Sequence, residues 1–303
     1  MSDLFRFVAS PPKQIPPAGA CDSHTHIFGP MDTYPYMAGR SYTPMDALVD
    51  DAKSMLQTLG LDRVVLVQPS PYRADNRCLL DALPKFGAAA RGVAVIDDNA
   101  PDAELRRLDA AGVCGIRLNI ASGGNPSDLP LDVRIDRLAT RIAGLGWHLQ
   151  LFVQPDDLVA LEPTLSDLPV PLAVDHMGLI SSTVVPYHPA HTTLLRLLDG
   201  GHCWVKLSGA YRLSGSDTEF DSVEPLARSL VEKCPERLVW GSDWPHTPQH
   251  SGAPDGPGTR RPYRRIDTGQ LLDLLSDWVP DPATRARILV ENPAQLYGFE
   301  DVS

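Results

Sequence analysis

Eight short runs rich in β-branched and aliphatic residues punctuate the chain, each followed by a longer stretch of helical periodicity. The runs fall at 20–28, 63–69, 90–96, 115–120, 148–153, 171–177, 203–209 and 237–245. A strand that needs a helix before the next strand begins is a βα unit, and such units build parallel sheets covered by helices. Eight of them in 303 residues favour closure into a barrel over an open sheet. Helix punctuation agrees. TPMDALVDDAKSMLQTLG (43–60) carries apolar residues at helical spacing and stops at Gly60, and PDAELRRLDAAG (101–112) opens on Pro101 and stops at Gly112. The expected fold is α/β, a distorted (β/α)8 TIM-like barrel forming one domain over 20–303, after a Pro-rich lead-in at 1–19. Two extra C-terminal helices are expected at 268–279 and 282–291, and a long Gly/Pro/Arg loop at 250–265.

Charge and cysteine usage narrow the partners. A net charge of −11 opposes a phosphate-tracking surface, which needs clustered Lys and Arg, so nucleic acid is excluded as a partner. The five cysteines are odd in number and never in CxxC, which fits a reducing cytoplasm better than a disulfide framework. No window approaches eighteen uninterrupted apolar residues, so membrane insertion and export are not expected. A homo-oligomer is compatible with the sequence.

In a closed barrel the C-terminal ends of the strands open onto one face, so chemistry is sought there. His24 and His26 lie near the end of the first run, Arg117 and Asn119 in the fourth, Asp175 and His176 at the end of the sixth, Lys206 and Ser208 in the seventh, and Asp243 and His246 after the eighth. A spacing of two puts His24 and His26 on one side of an extended chain, aimed at one target. A hydrogen-bonded core pair is the plainer reading, and it loses ground because His176 and Asp243 sit at equivalent strand ends. A carboxylate at the end of an apolar strand is costly unless a cation, a hydrogen bond or a metal answers it. Asp243 reads either as that carboxylate or as a helix N-cap, and the Trp-Pro-His that follows disfavours the cap. Asp175 reads as a structural acid ranking below His176. Arg117 and Arg212 present planar forks suited to a carboxylate or sulfonate, with Arg73 and Arg77 behind them. Parity with Ser208 turns Lys206 inward. The SGGN run (122–125) offers backbone N–H groups to an anion, on weak grounds.

Seven stretches carry a resemblance: CDSHTHIFGP (21–30), RADNRCLLDAL (73–83), AGVCGIRLN (111–119), VDHMG (174–178), LSGAYRLS (207–214), WGSDWPH (240–246) and ENPAQLYGF (291–299). Together they resemble the amidohydrolase superfamily, most closely its 2-pyrone-4,6-dicarboxylate lactonase and 4-sulfomuconolactone hydrolase branch. The resemblance implies a distorted barrel that hydrolyses a small anionic lactone, with His24, His26, His176 and Asp243 as the chemical set. It implies substrate-anion contacts from Arg117 and Arg212. Arg77, Ser208 and His246 complete the candidate substrate-binding set. Three departures bear on the substrate: the pyrone enzymes carry a second basic residue after the strand-four arginine, an arginine after DHMG and a tyrosine on strand five. This chain has Ala121-Ser122-Gly123-Gly124, Leu179 and Phe152 there. Two missing cations would cost a dicarboxylate about 1.5–3 kcal/mol each. A muconolactone-type ring, 4-sulfomuconolactone in particular, is therefore expected over the pyrone dicarboxylate.

Lactone opening needs a nucleophilic water, a polarised carbonyl and a proton for the leaving oxygen. Asp243 is expected to take and return the proton, and the imidazoles to polarise the carbonyl. The same His24, His26, His176 and Asp243 are a plausible ligand set for a single zinc ion, with a metal-free site as the alternative. Sugar-acid lactone hydrolysis, lactone isomerisation and metal-dependent decarboxylation are the competing activities.

Overall fold

The computed structural model describes residues 7–122, 127–181, 188–248 and 258–300. Its centre is a sheet of eight parallel strands whose spatial order is their chain order. These are β1 Cys21–Thr25, β2 Arg63–Val67, β3 Ala90–Ala94, β4 Val113–Asn119, β5 His148–Phe152, β6 Leu172–Val174, β7 Cys203–Leu207 and β8 Leu238–Trp240. Helices such as Val49–Leu59, Asp102–Ala110, Leu131–Ile142 and Pro155–Ser166 alternate with them. RVVLV of β2 and HLQLF of β5 are buried throughout, as strands held between an interior and a helix layer must be. The sheet curls into a nearly closed TIM-type barrel. No ladder joins β1 to β8; the segment after β8 closes the seam, with Asp243 N–H donating to the His24 carbonyl and His26 N–H to the Trp244 carbonyl, both at 2.9 Å.

Two apolar layers result. The larger lies between sheet and helices and includes Val64, Leu66, Leu149, Leu151, Leu172 and Leu207. The smaller fills one end of the barrel interior, where Val65, Ala173, Trp204 and Val239 meet Leu296, Tyr297 and Phe299 from the C-terminal segment. Farther up the interior, Gly115 lies under the His148 ring: a Cβ there would stand 2.4 Å from Cε1, so only glycine fits. Among the described residues no helix is long and apolar enough to cross a membrane.

The eight expected strands are present but several are short. The sixth run yields only three strand residues because the chain turns at Asp175, with His176 and Met177 at positive φ. The helix expected from residue 43 begins at Val49, and Thr43–Pro44 instead pairs in parallel with Arg260–Arg261. The second C-terminal helix runs longer than expected: Pro282–Ala286 continues through a π-helical turn, Arg287–Glu291, into Asn292–Tyr297. Residues 123–125 of the SGGN run and 250–257 of the long loop lie outside the described residues.

Candidate active site

The register between β1 and β2 shifts between Asp22 and Thr25, a bulge of the kind that re-aims side chains at a barrel rim. Beyond it, His24 and His26 bring their Nε2 atoms to 3.3 Å from each other. His26 Nδ1 is 2.7 Å from the Val67 carbonyl. A carbonyl only accepts, so Nδ1 carries a proton, and Nε2 is the nitrogen turned toward the site. Asp243 Oδ1 stands 3.6 Å from that Nε2 and 3.8 Å from the Nε2 of His24. It is fully buried and has no hydrogen-bond partner among the described residues. Ligand atoms about 2.0–2.1 Å from a tetrahedral ion lie roughly 3.3 Å apart. The donor spacing of this triad fits, and the orphaned oxygen asks for a positive charge, so the buried His/Asp cluster can hold a metal ion.

His176 stands beside this triad, at the end of β6 as expected, with its ring centroid 4.8 Å from that of His24. Its Nε2 faces the other oxygen of Asp243, 3.8 Å away, and it groups with His24 and Asp175. The four residues offered to one ion thus divide into a His24–His26–Asp243 triad and a neighbouring imidazole. The division arises because His176 leaves β6 with φ 50°, its Nδ1 tied to Ser208 Oγ at 2.8 Å. Burial, opposed by Asp243 and Asp175, pushes His176 down to about 4, so its ring is neutral at pH 7.

The Asp243 carboxylate is clamped on one side only. Tyr211 O–H and Arg212 Nε, from the short helix Ala210–Ser214, both donate to Oδ2. Burial favours its protonated form, but the Arg212 guanidinium with His176, His26 and His24 holds it well below the usual carboxylate range. Near it lies a second buried acid, Asp175, on the same imidazole, that of His24. Asp175 accepts from Arg117 Nε at 3.0 Å and Gln150 Nε2 at 3.1 Å, and lies 3.2 Å from His24 Nδ1. Lys206, wholly buried and inward as parity requires, donates to the Ser23 carbonyl at 2.9 Å and Gln150 Oε1 at 2.8 Å, with Nζ 3.3 Å from His24 Nδ1. Burial, opposed by Asp175, lowers its ammonium to about 8.

Arg117, Arg212, His26, His176, Asp243 and Phe152 line a tight inner pocket of about 10 Å³, the room of a single water. It lies beside a cavity of about 470 Å³ that shares Phe152 and Arg212 and adds Ser122, Gln154 and Arg264. The Phe152 ring sits between the two guanidiniums, 5.1 Å from Arg117 Cζ and 6.0 Å from Arg212 Cζ.

Two of the expected substrate-binding residues do not line the inner pocket. Arg77 lies at the start of the helix Arg77–Phe86, exposed, where Asp75 two residues away takes its guanidinium. His246 donates no contact to the inner pocket: its ring reaches Thr268 Oγ1 at 3.0 Å and borders a separate cavity of about 240 Å³ with Phe7 and Tyr263. Ser208 acts on His176, and Arg212 spends one donor on Asp243 and another on Thr247. Gln150 and Tyr211 were not singled out from sequence. An inward glutamine in an otherwise apolar strand was the available signal for the first; nothing local marked the second.

Comparison with known proteins places these residues in company. The profile of the amidohydrolase family matches residues 21–299. The chain is 33% identical to a 4-sulfomuconolactone hydrolase of Hydrogenophaga intermedia, over 95% of this chain and 92% of that protein. It is 35% identical to a 2-pyrone-4,6-dicarboxylate hydrolase of Comamonas testosteroni, over 94% and 92%. A ligand-free crystal structure from Agrobacterium tumefaciens superposes with a TM-score of 0.82 at 28% identity, covering 96% of this chain and all of that one.

Proposed function

Because the chain belongs to the amidohydrolase family, we propose that it hydrolyses a small anionic lactone, adding water to the ring carbonyl and breaking the ring C–O bond. The observation that carries this reading is Asp243 Oδ1: an ionised, buried carboxylate oxygen without a hydrogen-bond partner among the described residues, beside a water-sized pocket that two arginines line. In the proposed reaction the inner pocket holds the attacking water, and Asp243 takes its proton as the new C–O bond forms. In this reaction the Ser208 hydroxyl, 2.8 Å from His176 Nδ1, turns its proton to that nitrogen and away from the Lys206 carbonyl at 3.5 Å, which leaves His176 Nε2–H to meet the developing oxyanion. Asp243 then returns its proton to the departing ring oxygen, giving a hydroxy acid. Arg117 and Arg212 turn their remaining N–H donors to the substrate's anionic group.

A single zinc ion is proposed for the triad of His24 Nε2, His26 Nε2 and Asp243 Oδ1. When bound it would supply Lewis acidity at the carbonyl and lower the pKa of the attacking water. The proposed substrate is a muconolactone-type ring, 4-sulfomuconolactone first. The relatives' activities support the class, and Leu179 and Phe152 at positions where a dicarboxylate would want cation and hydroxyl support the choice.

Acid release in a pH-stat tests the reaction, with 4-sulfomuconolactone and 2-pyrone-4,6-dicarboxylate side by side. The first should turn over faster, with solvent oxygen-18 entering the product. Product without the label would convict an isomerase, and release of CO2 a decarboxylase. Chelation should lower turnover and zinc restore it; full activity with no metal detectable by elemental analysis would remove the ion.

A further inference from the structure

We propose that Asp22, which touches neither the pocket nor the triad's ligand atoms, is a positioning residue for the reaction proposed above, fixing His24 and Asp243 relative to each other. The two residues come from opposite edges of a sheet that no ladder closes. Asp22 is fully buried, and its Oδ1 accepts from two backbone N–H groups, that of His24 at 3.1 Å and that of Ser242 at 2.9 Å. Ser242 is the neighbour of Asp243, so one oxygen ties both halves of the site.

The approach it holds is close. A Cβ on Gly241 would stand 2.6 Å from His24 Cβ, so the two segments meet where no side chain fits between them. The flanking backbone bonds, Asp243 N–H to the His24 carbonyl and His26 N–H to the Trp244 carbonyl, extend the same junction on the far side of His24. An apolar residue at position 22 would fill the space without the cost of burying a carboxylate, whose Oδ2 has no partner of its own. It would also leave two buried N–H groups without an acceptor, each a penalty of about 1–3 kcal/mol. What the position requires is therefore an acceptor at the seam. A slip of about 1 Å there shifts Asp243 Oδ1 against both Nε2 atoms, and misplacement on that scale costs roughly 10²-fold in rate.

The test compares Asp22→Ala with Asp22→Asn, which keeps an acceptor oxygen at the same reach. Asp22→Ala should lower kcat about 10²-fold while KM stays within about threefold, and Asp22→Asn should recover kcat to within about tenfold of the parent. Imidazole nitrogen–proton spectra of His24 and His26 should shift in Asp22→Ala and return in Asp22→Asn. These spectra need no substrate, so they report on Asp22 even if the lactone reading fails. Unchanged kcat and spectra in Asp22→Ala would overturn the proposal. So would an Asp22→Asn enzyme as impaired as Asp22→Ala, since charge would then be what matters. If Asp22→Ala does not fold, Asp22→Glu replaces it: the charge stays, the oxygen moves by a methylene, and kcat should still fall at constant KM. Parental kcat in that variant would count against the proposal.

Discussion

At one end of the barrel interior, Leu296, Tyr297 and Phe299 seat against Val65, Ala173, Trp204 and Val239, while at the other the strands and the segments that follow them deliver three imidazoles, two acids, an ammonium and two guanidiniums. The apolar end is sealed by packing. Arg63 and Arg91 close over the Phe299 ring at 5.2 and 4.7 Å and donate to the carbonyls of Glu300 and Gly298. The polar end holds its side chains on backbone that packing alone would not choose: His176, Met177, Leu179, Asp243 and His246 all have φ between 50° and 65°. Non-glycine residues in that region cost about 1–3 kcal/mol each and persist where surrounding structure enforces them. The difference teaches that one end supplies the stability against which the other holds its strained geometry.

That division can be broken from either side. Asp243→Asn should lower turnover about 10³-fold while the melting temperature holds, because the variant keeps the shape and loses the base. Near-parental turnover would remove Asp243 from its role. Tyr297→Ala at the sealed end should cost about 3–5 kcal/mol in urea unfolding, with kcat per folded molecule unchanged. A drop in kcat without a drop in stability would show the two ends to be one functional unit. Arg117→Lys keeps the charge and gives up the fork, and should raise KM for an anionic lactone about tenfold, or ~1.4 kcal/mol, at nearly constant kcat.

Between the two ends lies His148, which burial holds near 3 against an ordinary 6.5. The unfolded chain binds that proton more readily, so stability should decline as the pH falls from about 6.5 toward 3. Urea unfolding at pH 7 and pH 5 measures the slope, and His148→Phe should reduce it by one proton's share, because His24, His176 and His246 are lowered by burial as well. Arg77→Ala, outside both regions, should change neither activity nor melting temperature; a change in KM would return Arg77 to the substrate.

How much of this was legible follows from what each residue depends on. The barrel was readable because alternating strand and helix is a local, repeated signal, and Gly60 stops its helix as expected, at φ 71°. His24, His26 and Asp243 were readable because polar residues at the ends of apolar strands are expensive and so conspicuous. Their division of labour was not, since the turn that sends His176 to a different oxygen depends on the backbone after β6. The partners of Asp175 are illegible for a similar reason: Arg117, Gln150 and Lys206 come from β4, β5 and β7, and only the side-by-side pairing of those strands with β6 brings them to one carboxylate. Arg77 lies outside the inner pocket, and its pairing with Asp75, two residues away, was within reach of the sequence.

The junction between β1 and the segment after β8 joins residues 220 positions apart, and the hydrophobic stopper at the barrel's foot is contributed by residues 296–299. During synthesis the first strand therefore emerges long before either partner exists. Until then its two histidines and the apolar interior beside them stand open to the cell, and assembly of the site is an event of the finished chain, late and dominated by distant contacts.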